Sequence, residues 1–134
     1  MADTEAVLFA NDAFYRAFNG RDLEAMDELW SRTAPVCCIH PGWAPIFGRD
    51  EVLASWGAIL GDAASPEIEF SAARAHIVGA AAFVVCYESL GGGHLTATNI
   101  FVREGAVWKL VHHQAGPVPS PPPAEDRNPE PSVH

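Results

Sequence analysis

An α+β domain, with helices packed on one face of a mainly antiparallel sheet, is the fold class that this sequence predicts. Apolar residues recur at helical spacing through the first 61 positions, and from Pro66 onward four strand-like runs follow, separated by short glycine breaks. At 134 residues the chain has room for one hydrophobic core and not for two.

The first helix is expected from about Asp3 to Asn19, where Val7, Ala10, Phe14 and Phe18 share a face and Gly20 can end it. Asp22 then reads as an N-cap for a second helix whose apolar face is Leu23, Met26, Leu29 and Trp30. After a break at Arg32-Thr33-Ala34-Pro35 comes a short strand ending at His40, then a loop to Gly48. A third helix near 49–61 carries the stripe Val52, Leu53, Trp56, Ile59 and Leu60. The later strands fall at about 67–78, 82–91, 94–103 and 106–115, broken by Gly79-Ala80, Gly91-Gly92-Gly93 and Glu104-Gly105. Short turns between consecutive strands imply antiparallel pairing. Residues 117–134 hold seven of the eleven prolines and almost no large apolar groups, so a flexible tail is expected beyond a domain at 1–116.

Hydrophobic residues make up 49% of the chain and charged ones 19%, a globular composition. Eight Lys plus Arg against seventeen Asp plus Glu give a net charge of −9, which repels phosphate backbones and anionic lipid. Nucleic acid and membrane are therefore not expected partners. No basic flank leads into an apolar stretch at Met1, and no run approaches a membrane span, so a cytoplasmic protein is expected. Cys37, Cys38 and Cys86 lie in apolar strand-like runs, where burial keeps a thiol protonated and inert.

The stretch from Val36 to Trp43 is the most informative, because an apolar strand ends in His40, Pro41, Gly42 and Trp43. An imidazole with an ordinary pKa near 6.5 can move protons at neutral pH. On the last strand, if Lys109 faces solvent, alternation turns Trp108, Leu110, His112 and Gln114 toward the core; a bulge would exchange His112 for His113. Trp43, Trp56 and Tyr87 could wall a cavity or simply fill a core. No HxH or HExxH spacing points to a metal, no G-x-S-x-G elbow to a serine nucleophile, and Gly91-Gly92-Gly93 has no following helix to hold a phosphate.

The order helix, helix, short strand, helix, four-strand meander resembles the nuclear transport factor 2-like superfamily, which includes ketosteroid isomerase and the SnoaL-like polyketide cyclases. Phe18-Asn19-Gly20-Arg21-Asp22-Leu23-Glu24-Ala25-Met26 resembles that family's turn between its first helices, and Phe47-Gly48-Arg49-Asp50 its start of the third. Thr98-Asn99-Ile100-Phe101-Val102 and Val107-Trp108-Lys109-Leu110-Val111-His112-His113 resemble its closing strands. The resemblance implies a cone: three N-terminal helices closing a curved sheet around an apolar pocket.

In that comparison His40 stands where ketosteroid isomerase has its general-base aspartate, and Asn99 where it has a protonated aspartate that donates to the substrate oxyanion. Phe14 replaces its tyrosine donor. Losing one such donor costs about 3 kcal/mol, which argues against plain steroid isomerisation. The resemblance implies catalytic roles for His40 and Asn99, and strand alternation adds His112 as their companion; Phe14, Trp43, Trp56, Tyr87 and His113 are the expected ligand contacts. It implies a small apolar carbonyl-bearing molecule as ligand, no cofactor and no metal, and a homodimer formed through the outer sheet face. The reaction implied is a cofactor-free isomerisation, cyclisation or related lyase step. The competing expectation is a ligand-binding or dimerisation module without chemistry.

Overall fold

The computed structural model describes residues 2–124. In chain order it contains α1 (Asp3–Asn19), α2 (Leu23–Leu29), β1 (Cys37–Ile39), β2 (Ile46–Phe47), α3 (Arg49–Leu60), β3 (Glu69–Val78), β4 (Ala81–Leu90), β5 (Gly93–Glu104) and β6 (Val107–Pro117). Asp22 caps α2 by accepting from the Ala25 amide at 3.0 Å, which satisfies one of the amides that a helix start leaves unpaired. The two-residue β2 falls in the segment read as a loop; it pairs antiparallel with β1.

The six strands form one sheet in the order β2-β1-β6-β5-β4-β3. Every neighbouring pair is antiparallel except β1 and β6, which run parallel with Cys37 opposite His112 and Ile39 opposite Gln114. That exception follows from the chain entering beside β6: Trp30 bridges Leu110, and the Ser31 amide donates to the Leu110 carbonyl at 2.9 Å. In β3 the register shifts between Ser71 and Arg74, and Ala72 takes a left-handed φ of 57°. A bulge of this kind bends a strand, so the sheet curves around the helices.

The core lies between the helices and the concave face. Val7, Phe14, Tyr15 and Phe18 of α1, Met26 and Trp30, and Val52, Trp56 and Leu60 of α3 meet Val84, Cys86, Ala97, Phe101, Trp108 and Leu110 of the sheet. On β4 the even positions Ala82, Val84, Cys86 and Glu88 are buried while Val85 is exposed. Tyr87 therefore points to the outer face with Phe83 and Val85, and the expectation that it walls the cavity is corrected by strand parity.

The inward position of His112 is corrected too. Between β5 and β6 the register shifts at Ile100/Phe101, so that Phe101 faces Leu110 whereas Ile100 faces His112 and Asn99 faces His113. Val111 is the extra residue. After Trp108 and Leu110 the inward side chains become His113 and Ala115, because one inserted residue exchanges the two faces of a strand. The strand also outlasts the expected domain end: Pro117 still pairs with Leu95, the Val118 amide donates to the His94 carbonyl at 3.0 Å, and Pro122 is buried. The remainder of the expected tail, 125–134, lies outside the described residues.

Candidate functional site

Alternation along β1 buries Cys38 and His40 on one face, and Pro41 stops the strand there, so the imidazole is delivered to the core at the open end of the cone. It borders a cavity of about 220 Å³. The walls are aromatic: Phe14 and Phe18 from α1, Trp56 from α3 and Trp43 from the loop after β1. Trp56 is the hub, with ring centroids 5.5 Å from Phe14, 5.9 Å from Phe18, 4.7 Å from His40 and 5.8 Å from His113. Trp43 is 48% exposed and stands edge-on to His40 at 4.8 Å, at the mouth. Three groups on this apolar lining can titrate: His40, Glu88 and His113.

Ser65, Pro66 and Ile68, in the segment after α3, also line the cavity, and the turn after α1 holds that segment. Asn19 donates to the Ile68 carbonyl and accepts from the Ile68 amide, both at 2.8 Å. Arg21 takes a left-handed φ of 53° and donates to the carbonyls of Leu60, Asp62, Ala63 and Ser65, at 2.6 to 3.4 Å. The Asn-Gly-Arg turn thus fixes one edge of the opening.

The protonation pattern of the histidines follows from their partners. His40 Nε2 lies 2.9 Å from Ser55 Oγ, and that hydroxyl spends its proton on the Val52 carbonyl at 2.6 Å. Nε2 must then be the donor, which leaves Nδ1 without a hydrogen, 3.9 Å from the Cys38 sulfur. His113 Nδ1 lies 2.5 Å from Asn99 Oδ1, while Asn99 Nδ2 donates to Asn11 Oδ1 at 2.8 Å and to the Tyr15 hydroxyl at 3.3 Å. His113 is therefore protonated on Nδ1, with Nε2 bare. Asn99 is fully buried, does not line the cavity and has both amide hydrogens engaged inside the protein. It orients His113; the expected direct contact with a substrate oxygen is corrected by this geometry.

Tyr15 and Glu88 complete the arrangement, and neither is among the residues singled out from the sequence. Tyr15 donates to Glu88 Oε2 at 2.5 Å, so Glu88, Tyr15, Asn99 and His113 form one hydrogen-bonded chain whose two ends line the cavity. The tyrosine absent at Phe14 stands one residue later. Asn11 and Tyr15, four apart on the buried side of α1, and Glu88 in phase with Ala82, Val84 and Cys86, were the available signals.

Burial governs the titration. It pushes His40 down to about 4, and it pushes His113 down to about 3 with help from His40 and His112. It raises the Glu88 carboxyl above its usual range, against the Tyr15 hydrogen bond, and raises Tyr15 further from ionisation. Cys38 goes up to about 12 and Cys86 to about 11, so neither thiol is a nucleophile near neutral pH. Among the described residues no three His, Cys, Asp or Glu side chains converge on a metal site, and no helix is long and apolar enough to cross a membrane.

A pH dependence of stability follows from these shifts. As pH falls below about 6.5 the unfolded chain protonates its histidines first, while His40 stays neutral to about 4 and His113 to about 3. The unfolded state then binds more protons, so stability falls with pH across that window. Glu88, shifted upward, binds its proton earlier in the folded state and offsets part of the loss. The urea midpoint should drop between about pH 7 and about pH 4.5, and drop less in His113→Phe; equal slopes for both proteins would contradict the shift assigned to His113.

The profile of the SnoaL-like domain matches residues 7–120. Among curated proteins, F-box protein SKIP8 from Arabidopsis thaliana is 29% identical over 116 residues, which is 85% of this chain and 50% of that protein. The chain thus spans about half the length of that relative. Among solved structures, a candidate dehydratase of the nuclear transport factor 2-like family from Streptomyces avermitilis is 34% identical with a TM-score of 0.80, over 88% of this chain and 97% of the other. A candidate calcium/calmodulin-dependent protein kinase type II association domain from Thiobacillus denitrificans is also 34% identical, with a TM-score of 0.73 over 81% and 92%. A Caulobacter vibrioides protein with a cystatin-like fold, 18% identical with a TM-score of 0.73 over 85% and 88%, shares the fold. With its cone of three helices on a curved sheet and a profile match that spans most of its length, the chain belongs to the SnoaL-like domain family of the nuclear transport factor 2-like superfamily.

Proposed function

We propose that the protein carries out cofactor-free proton transfer on a small, largely apolar, carbonyl-bearing molecule, with elimination of water from a β-hydroxy carbonyl compound as the reaction that best uses its groups. The observation that carries this reading is the convergence of two bare imidazole nitrogens and a carboxyl of raised pKa on one aromatic cavity. His40 Nδ1 takes the proton α to the carbonyl, the C–H electrons form the C=C bond, and the C–O bond breaks as Glu88 protonates the departing hydroxyl. Water and the unsaturated carbonyl compound leave, and the imidazolium returns its proton to Glu88 through that water. His113, held by Asn99, accepts from a substrate hydroxyl and fixes its orientation. The kinship with the Streptomyces avermitilis candidate dehydratase supports the same class of chemistry.

The test is a panel of enolisable and β-hydroxy carbonyl compounds followed by NMR in D₂O. Protein-dependent deuterium uptake at the α carbon, or loss of water, is expected for at least one member. No exchange anywhere in the panel would overturn the reading. It would leave the second one, an association module like the Thiobacillus denitrificans domain, pairing two copies through the outer sheet face where Phe83, Val85 and Tyr87 lie. Sedimentation as a dimer or larger is expected on that reading, and a monomer at micromolar concentration would sink it.

A further inference from the structure

Tyr15 is 1% exposed and stands in the middle of the polar chain that joins the two ends of the cavity, without lining the cavity itself. Its ring stacks on Phe70 at 4.6 Å and meets Phe14 edge-on at 4.8 Å, which holds the hydroxyl in one place. Three groups surround that hydroxyl: Glu88 Oε2 at 2.5 Å, Asn99 Nδ2 at 3.3 Å and Cys86 Sγ at 3.3 Å. The Asn99 nitrogen can only donate, and sulfur is a weak acceptor, so the single phenol hydrogen goes to the carboxyl oxygen. Every hydrogen in the chain then points one way, from His113 through Asn99 and Tyr15 to Glu88. Bonds aligned in one sense polarise and strengthen one another.

We infer that Tyr15 is a positioning residue: it occupies Glu88 Oε2, so that the acidic proton of Glu88 is confined to Oε1, the oxygen left for the cavity. A protonated carboxyl has one O–H, and an oxygen that already accepts a short bond from a phenol is the poorer place for it. When that proton passes to the departing hydroxyl, the electron pair of the O–H bond stays on the carboxylate, where Oε2 already has its donor. The inference rests on the proposed function for the step it serves, and adds which oxygen acts and what aims it. Burial and Tyr15 pull the carboxyl in opposite directions, burial upward and the phenol downward. The other titratable groups near Glu88 are Cys86, two residues back on β4, and His40 and His113 on the cavity wall; its strand partners Phe70 of β3 and Leu95 of β5 are apolar.

Tyr15→Phe keeps the ring against Phe70 and Phe14 and removes only the hydroxyl. The full chain, carrying ¹³C-carboxyl glutamate, is titrated by NMR as wild type and as this variant, with the Glu88 resonance identified by its loss in Glu88→Gln. Glu88 should titrate at higher pH in Tyr15→Phe, because its ionised form has lost a donor. A carboxyl that instead gave its proton to the phenol would titrate lower in the variant, so an equal or lower midpoint overturns the inference whatever the protein catalyses. The wild type supplies a second readout that needs no variant to fold. Its Tyr15 hydroxyl proton should lie further downfield above the Glu88 midpoint than below it, and a hydroxyl that ignores that titration would also overturn the inference. On any β-hydroxy carbonyl compound of the panel that loses water, the variant should lose about five- to tenfold in kcat, the usual contribution of one hydrogen bond, and its alkaline limb should move to higher pH. The same loss with an unmoved limb would make Tyr15 merely structural and sink the inference, while leaving His40 and Glu88 as base and acid.

Discussion

His40→Asn should lower the turnover of any substrate found for this protein by about 10²- to 10⁴-fold, the usual contribution of a positioned general base. Asparagine is shorter, its amide ending at the level of the imidazole Nδ1, so it gives up the contact with Ser55 Oγ, which now lies 2.9 Å from His40 Nε2, but it brings no charge into the cavity. It has no basic nitrogen to replace the bare Nδ1. Ligand affinity should therefore stay within a few fold while the rate collapses, a split that a merely structural histidine would not produce. A base held down to about 4 also stays unprotonated through the whole neutral range, so the wild-type rate should be flat from about pH 8 to about pH 6 on the His40 limb. The comparison needs initial rates and dissociation constants on the same substrate. A variant with full activity would remove His40 from the chemistry and leave His113 as the base.

The second large effect is on stability. Trp56→Ala should destabilise the fold by about 3–5 kcal/mol, the range for emptying a buried aromatic site. Trp56 is 2% exposed and touches four rings, those of Phe14 and Phe18 on α1, His113 on β6 and His40 just after β1. Phe14 and Phe18 are held in α1 and His113 in β6, so they cannot move far to refill the space. Against a typical total of about 5–15 kcal/mol, a loss of this size would leave part of the protein unfolded at physiological temperature. Chemical denaturation with an unchanged m-value would measure it. A cost below about 1 kcal/mol would mean that the cavity wall collapses freely, and that its shape is not a fixed property of the fold.

Much of the architecture was legible because local signals agreed with the global fold. The 3.6-residue spacing of Val7, Ala10, Phe14 and Phe18, the Asp22 cap and the glycine breaks after Val78, Leu90 and Glu104 place α1, α2 and the meander within a residue or two. The end of β1 beside His40 was legible to within one residue for the same reason, since a proline follows that histidine. Face assignment was harder. On β4 both sets of alternating side chains are apolar, Ala82, Val84 and Cys86 against Phe83, Val85 and Tyr87, so period two alone does not say which set is inside. This hid Glu88 and misplaced Tyr87. On β6 the extra residue Val111 inverts the pattern halfway along, and nothing in the run from Val107 to His113 marks it, because Val111 is as good a strand residue as its neighbours.

What the sequence by itself determined is the class of fold, the element order, the apolar faces of the helices and the placing of one histidine at the end of the first strand. Those depend on residues within a few positions of one another. The tertiary structure alone decided which polar groups meet. Asn99 reaches back 88 residues to Asn11, Tyr15 reaches forward 73 to Glu88, and His40 finds Ser55 across a loop and the short β2. The hydrogen-bond partners set each tautomer, and the burial of the assembled cavity sets each pKa. Neither is a property of a residue or its neighbours in the chain, because both depend on what the folded chain removes from water and brings within 3 Å.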